Sequence, residues 1–192
     1  MFDDINRSVE ALLKSDLPSD ISSQVSISFA TPDESFPPTG LALPAINLFL
    51  FEIHENTQLR DFEPSLTRRS DGSQVRVPPP AHVDCHYLIT AVAESTLGSE
   101  QYELRILGAV LRVLLRYRVL PEAVLRGALV GQSPPIRAAA VRQGMHPSGV
   151  ELWQSLKGKP RATLHYTLTV PVDTTAPDAI GPPVLTLNVG GI

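Results

Sequence analysis

His82-Val83-Asp84-Cys85-His86 is the stretch of this sequence that sets metal-ligating and acid–base side chains at regular spacing. Side chains alternate along an extended strand, so His82, Asp84 and His86 share one face, and two imidazoles with a carboxylate form a donor set for a transition metal. A small metal-dependent enzyme is the function this would imply. The same residues also describe a solvated strand end beside the Pro78-Pro79-Pro80 turn, and no Glu-x-x-His or further ligand cluster supports a metal centre. Cys85 falls on the opposite face with Val83, Tyr87 and Ile89, where a thiol acts as a small buried hydrophobe and not as a nucleophile. Glu52 and His54 are spaced as a surface pair, and His165 alternates with core residues, so these read as structural. The sequence contains no Gly-x-Ser-x-Gly elbow, phosphate-cradling glycine loop, dinucleotide fingerprint or His-Glu-x-x-His. No catalytic residue, metal or cofactor is expected.

The charged residues suggest contact with other proteins. Arg60, Arg68, Arg69 and Arg76 lie in a proline-bounded stretch, 55–81, that lacks periodicity, and long loops of that kind are usually functional or ordered by a partner. A hairpin around Asp71-Gly72, flanked by Leu66, Val75 and Val77, fits within it. Arg105, Arg112 and Arg116 recur on one side of a helical pattern, either as its solvated face or as a docking face. Near the end, Val184-Leu185-Thr186-Leu187-Asn188-Val189 alternates without charge. Leu185, Leu187 and Val189 would then either add a strand to another subunit or fold back on their own sheet.

The elements that must position these groups follow from periodicity. Phe2, Ile5, Val9, Leu12 and Leu13 form one helical stripe. Residues 24–29 alternate as a strand with one wet face. Residues 45–55 are apolar at nearly every position, as in a central strand covered on both sides. A second long strand runs from 82 to 93. The strongest helix opens at Gly98-Ser99, with Ser99 as N-cap, and buries Tyr102, Ile106, Leu107, Val110, Leu111, Leu114 and Tyr117. Pro121 starts a short helix through Arg126, and residues 136–142 suggest a strand. Ser148-Gly149-Val150-Glu151 has the form of a capping box ahead of a helix from Gly149 to Lys157, with Trp153 and Leu156 buried. A strand over 161–172 ends at Pro171, and 174–183 is a proline-rich linker. The fold class is α/β (α+β), a mixed sheet backed by helices, with one domain over 1–173 and a linker with a strand-like arm over 174–192.

Composition narrows the partners. The net charge of −4 lacks the basic excess that phosphate neutralisation needs, so nucleic acid is not expected. One cysteine in 192 residues fits a reducing compartment, and the acidic start Met-Phe-Asp-Asp is unlike a signal peptide. No apolar run is long enough for a membrane span, so cytoplasmic assembly without membrane insertion is expected.

In order along the chain stand Phe2-Asp3-Asp4-Ile5, Pro44-Ala45-Ile46-Asn47-Leu48-Phe49-Leu50-Phe51 and Asn56-Thr57-Gln58-Leu59-Arg60-Asp61. They are followed by His86-Tyr87-Leu88-Ile89-Thr90-Ala91, Glu103-Leu104-Arg105-Ile106-Leu107-Gly108-Ala109-Val110, Glu151-Leu152-Trp153-Gln154-Ser155-Leu156 and His165-Tyr166-Thr167-Leu168-Thr169-Val170. Joined in this order over about 1–173, these segments resemble the cap, or tail-terminator, proteins of extracellular contractile injection systems of the Photorhabdus virulence cassette and antifeeding prophage type. The resemblance implies a terminator-like fold assembled as a homohexameric ring that closes the inner tube and binds the last sheath ring. The long C-terminal extension of some relatives has no counterpart in these residues, so roles tied to it are not implied. A ring needs two different complementary patches on each copy. The arginines and the 184–189 arm are the expected contacts. A general adaptor using the 55–81 loop is the remaining alternative.

Overall fold

A computed structural model describes residues 1–68, 73–140, 149–176 and 178–180. Its elements run α1 (Phe2–Asp16), α2 (Ser19–Ser22), β1 (Ser26–Ser28), β2 (Ala45–Glu55), β3 (Ser65–Arg68), β4 (Gln74–Val77), β5 (Ala81–Val92), α3 (Ser99–Arg116), β6 (Arg137–Ala140), α4 (Gly149–Leu156), β7 (Leu164–Val172) and β8 (Asp178–Ile180). Five strands form the main sheet in the order β1-β2-β5-β7-β6, with β1 parallel to β2 and the other pairs antiparallel. A small second sheet, β3-β4-β8, carries the hairpin expected in the 55–81 stretch. The mixed sheet backed by helices is the architecture expected.

One face of the main sheet carries the core. Ile46 and Leu48 of β2, Cys85, Tyr87 and Ile89 of β5, and Tyr166, Leu168 and Val170 of β7 pack against Ile5, Val9, Leu12 and Leu13 of α1 and Ile106, Val110, Val113 and Leu114 of α3. Period two on the strands and the three-to-four spacing on the helices bring these stripes together. Burial raises the pKa of the Tyr87 and Tyr166 phenols above the usual tyrosine value. Tyr87 remains protonated and donates to Asn6 Oδ1 at 2.7 Å.

The solvent side of α3 is tied back to the first helices. Arg105 pairs with Asp20 at 2.5 Å, and Arg116 with Asp16 at 2.8 Å. The hydroxyls of Ser15 and Tyr117, with the Arg116 guanidinium, hold the Asp16 carboxyl below the usual carboxylate range. A carboxyl whose pKa falls on folding contributes its full stability above its unfolded value of about 4 and loses it as pH drops through the lowered value. Asp16→Asn should therefore melt about 2–4 °C below the parent at neutral pH, and the gap should close as pH falls below about 4. Thermal melts across that range would read it.

Several local expectations are corrected. Gly98, at φ 87°, is the N-cap of α3, so Ser99 is its first helical residue and makes no side-chain cap. The helix expected over 121–126 is instead two 3₁₀ turns, Glu122–Val124 and Gly127–Leu129. β2 is buried on both faces only over its first four residues and ends in four exposed ones. β7 is buried on both faces and continues through Pro171, whose carbonyl accepts from Gln132 Nε2. Pro171 is tolerated because β6 pairs no further than Thr169 on that side. Leu156 is half-buried while Trp153 is buried. The segment expected as linker contains β8, which pairs with β4. Arg69, the Asp71-Gly72 turn, the capping serine Ser148 and the arm with Leu185, Leu187 and Val189 lie outside the described residues.

Candidate functional site

β5 holds His82, Asp84 and His86 on the sheet face away from the main core, as alternation requires. Same-face residues on a strand stand about 6.6 Å apart, so His82 and His86 are separated by about twice that and the three cannot close on one ion. The strand end is also not solvated: Asp84 is 3% and His86 2% exposed. Asp84 accepts from Thr169 Oγ1 at 2.6 Å and from Asn56 Nδ2 at 3.0 Å, while His86 Nδ1 lies 2.9 Å from Thr167 Oγ1. Asp84 and His86 instead belong to a polar ladder between β5 and β7. Cys85 lies in the core as expected, and burial, with the Asp84 charge, pushes its thiol up to about 12. It is not a nucleophile at neutral pH.

A bulge changes what faces this ladder. β2 pairs Leu50 with Tyr87 and then Glu52 with His86, leaving an extra residue between them. A regular ladder would have put Glu52 opposite Cys85 on the core side. The bulge turns both Glu52 and His54 to the face of Asp84 and His86. His54 stacks on His86 with ring centroids 4.8 Å apart, and its Nδ1 lies 3.8 Å from Glu52 Oε1. Glu52 and His54 are thus neighbours of the buried polar ladder, not a separate surface pair. The expectation of one regular strand hid this, and the signal available was a polar pair interrupting the apolar alternation.

The arginines fall in three places. Arg60 pairs with Glu55 and sits 5.8 Å above the ring of Phe62, which is 81% exposed. On the hairpin, Leu66 lies opposite Arg76 and Arg68 opposite Gln74, so Leu66, Arg68 and Arg76 share one exposed face. Val75, on the other face, is buried. Arg105 and Arg116 bind Asp20 and Asp16, whereas exposed Arg112 has no ion pair among the described residues. The structure therefore brings Arg68 and Arg76 together with Leu66 and keeps the helix arginines apart from them.

β1 ends at Ser28, opposite Asn47, so no described strand lies beside the outer edge of β2 beyond that point. That open stretch ends near the exposed Ile53. An open edge of this length is a ready site for strand addition. A cleft of about 650 Å³ between the end of α3, β6 and the Asn56–Leu59 turn is lined by groups including Tyr117, Arg137 and Thr169. Its described lining holds no carboxylate or imidazole, and so supplies no general acid–base pair. No helix of the described residues is long and apolar enough to cross a membrane.

Comparison with known proteins gives a fold and a family. The chain is similar to the PVC sheath/tube terminator of an extracellular contractile injection system in its extended state, with a TM-score of 0.72 and 25% identity over 100% of this chain and 63% of that one. It is also similar to the anti-feeding prophage cap, a tube-terminating cap, with a TM-score of 0.68 and 27% identity over 97% of this chain and 60% of the other. The chain thus spans about three fifths of the length of the solved caps it matches. No curated protein matches it. The sequence profile of the Pvc16 N-terminal domain matches residues 4–186, from α1 through β8, and the chain belongs to that family.

Proposed function

We propose that this protein is a structural cap that ends the inner tube of a contractile injection particle as a ring of six copies and holds the terminal sheath ring. The observation that carries the reading is the match of 97–100% of this chain to a sheath/tube terminator and to a tube-terminating cap. The surfaces suit the role. A strand from a neighbour, either a second copy or a sheath subunit, would add to the open outer edge of β2, where main-chain hydrogen bonds provide affinity and flanking side chains provide register. The Leu66-Arg68-Arg76 face, Arg60 with Phe62, and Arg112 are the second patch, for an acidic protein surface. The pair of Arg105 with Asp20 is exposed and weak enough to re-form across an interface, whereas Arg116 stays with the half-buried Asp16. Arg69 and the 184–189 arm belong to the same proposal as further contacts. Assembly of the particle is proposed to take place in the cytoplasm.

The native mass over a concentration series tests the ring. Six copies of 20.8 kDa should give a species of about 125 kDa. A monomer at every concentration, unchanged by added tube protein, would overturn the ring.

A further inference from the structure

We propose that Glu52, His54 and His86 bind one divalent transition-metal ion of the zinc type at the outer end of the β2–β5 ladder, independently of the cap reading. One ligand atom from each of the three lies within 4.8 Å of the others. Two imidazoles and a carboxylate are a borderline donor set, matched to zinc, cobalt or nickel and poorly to magnesium or calcium, which favour all-oxygen shells.

The groups behind the ligands are those a metal site requires. His54 turns Nδ1 towards Glu52, and its Nε2 lies 3.9 Å from Asp84 Oδ2. Asp84 is itself fixed by Thr169 and Asn56, so a held carboxylate stands behind the imidazole, as it does where a histidine tautomer is set for metal binding. His86 is anchored from β7 by Thr167 at Nδ1, which directs the other side of its ring towards β2. Ligand atoms around tetrahedral zinc stand about 3.3 Å apart, so closing the site requires a movement of only about 1–2 Å. Glu52 and His54 are each 46% exposed; His54 must turn its ring out of the stack on His86 so that a ring nitrogen faces the ion, while buried His86 stays in place. Three protein ligands leave a fourth position of a tetrahedral zinc ion for water.

The bulge in β2 ties this site to the fold. Without it Glu52 would face the core and the three donors would not meet.

The test uses untagged full-length chain stripped with a chelator and titrated with Zn²⁺ by calorimetry and with Co²⁺ by visible absorption. One equivalent of Zn²⁺ should bind and raise the thermal midpoint, and Co²⁺ should give an absorption band of low-coordinate geometry. His54→Ala and Glu52→Gln should each weaken binding at least tenfold. Both side chains are half-exposed, so metal-free variants should melt within about 2 °C of the parent. Absence of saturable binding, or equal binding by both variants, would overturn the proposal. A His54→Ala midpoint that falls without any response of the parent to Zn²⁺ would also overturn it, and would make the role of His54 structural.

Discussion

Gly127→Ala should destabilise the fold by about 3 kcal/mol and lower the thermal midpoint by about 6–12 °C. Gly127 sits at φ 58°, in the left-handed region, where a side chain costs about 1–2 kcal/mol. A Cβ there would stand 2.5 Å from the Asp4 carboxyl carbon and closer still to Oδ1. Asp4 has little room to yield. It is buried, its Oδ2 accepts the Ala128 amide at 3.3 Å, and its carbonyl accepts from Ser8 Oγ, which in turn accepts the Arg126 amide at 3.0 Å. These bonds dock the 3₁₀ turn against α1, so the added methyl displaces the carboxylate from the bonds that orient the turn. The double variant Asp4→Ala/Gly127→Ala should lose clearly less than the sum of the singles, because the first change removes the clash. Urea melts of the four proteins would measure the coupling, and a Gly127→Ala midpoint within about 1 °C of the parent would sink the account.

Leu66→Asp with Arg68→Glu should weaken attachment to the particle by about a hundredfold or more while leaving the isolated fold intact. Both side chains are exposed on β3, an edge strand of the small sheet, so the stability change should stay within about 1 kcal/mol. At an interface the same pair of changes removes an apolar anchor and sets a negative charge against an acidic partner, a penalty of about 3 kcal/mol or more. Co-sedimentation with tube-and-sheath particles would read the loss, with circular dichroism as the control for folding. Normal incorporation of the double variant would remove this face from the proposed contacts.

Much of the architecture was legible because it depends on local pattern. The stripes of α1 and α3, the apolar run of β2 and the alternation of β7 each determine an element, and the hairpin between Leu66 and Val77 follows from turn chemistry. Other features depend on what the rest of the chain does. On the back of the main sheet Asp84 and His86 meet groups far away in sequence: Thr169 and Thr167 of β7, Asn56, and the stacked ring of His54. Asp84 and His86 thus looked solvated to a strand-by-strand reading and are not. The β2 bulge was invisible for the same reason, since which residue is left unpaired depends on the register with β5. Ser99 was a reasonable cap on type alone, but Gly98 can take the left-handed turn and leaves the serine inside the helix. The family resemblance was legible because it rested on the order of several segments and not on any one residue.

The anchoring of α1 also affects how the chain is made. Its polar partners lie far downstream: Arg116 stands 100 positions after Asp16, and Ala128 stands 124 after Asp4. At a translation rate of about 5–20 residues per second, roughly 6–25 s pass between the emergence of α1 and that of the turn that holds it. Ile5, Val9, Leu12 and Leu13 gain their partners stepwise, from β2, β5 and α3 as these emerge within that interval and from β7 only after it. The nascent chain carries a partly covered amphipathic helix for most of its synthesis. The packing of α1 is therefore completed only late in synthesis, when the turn at Ala128 and then β7 have emerged.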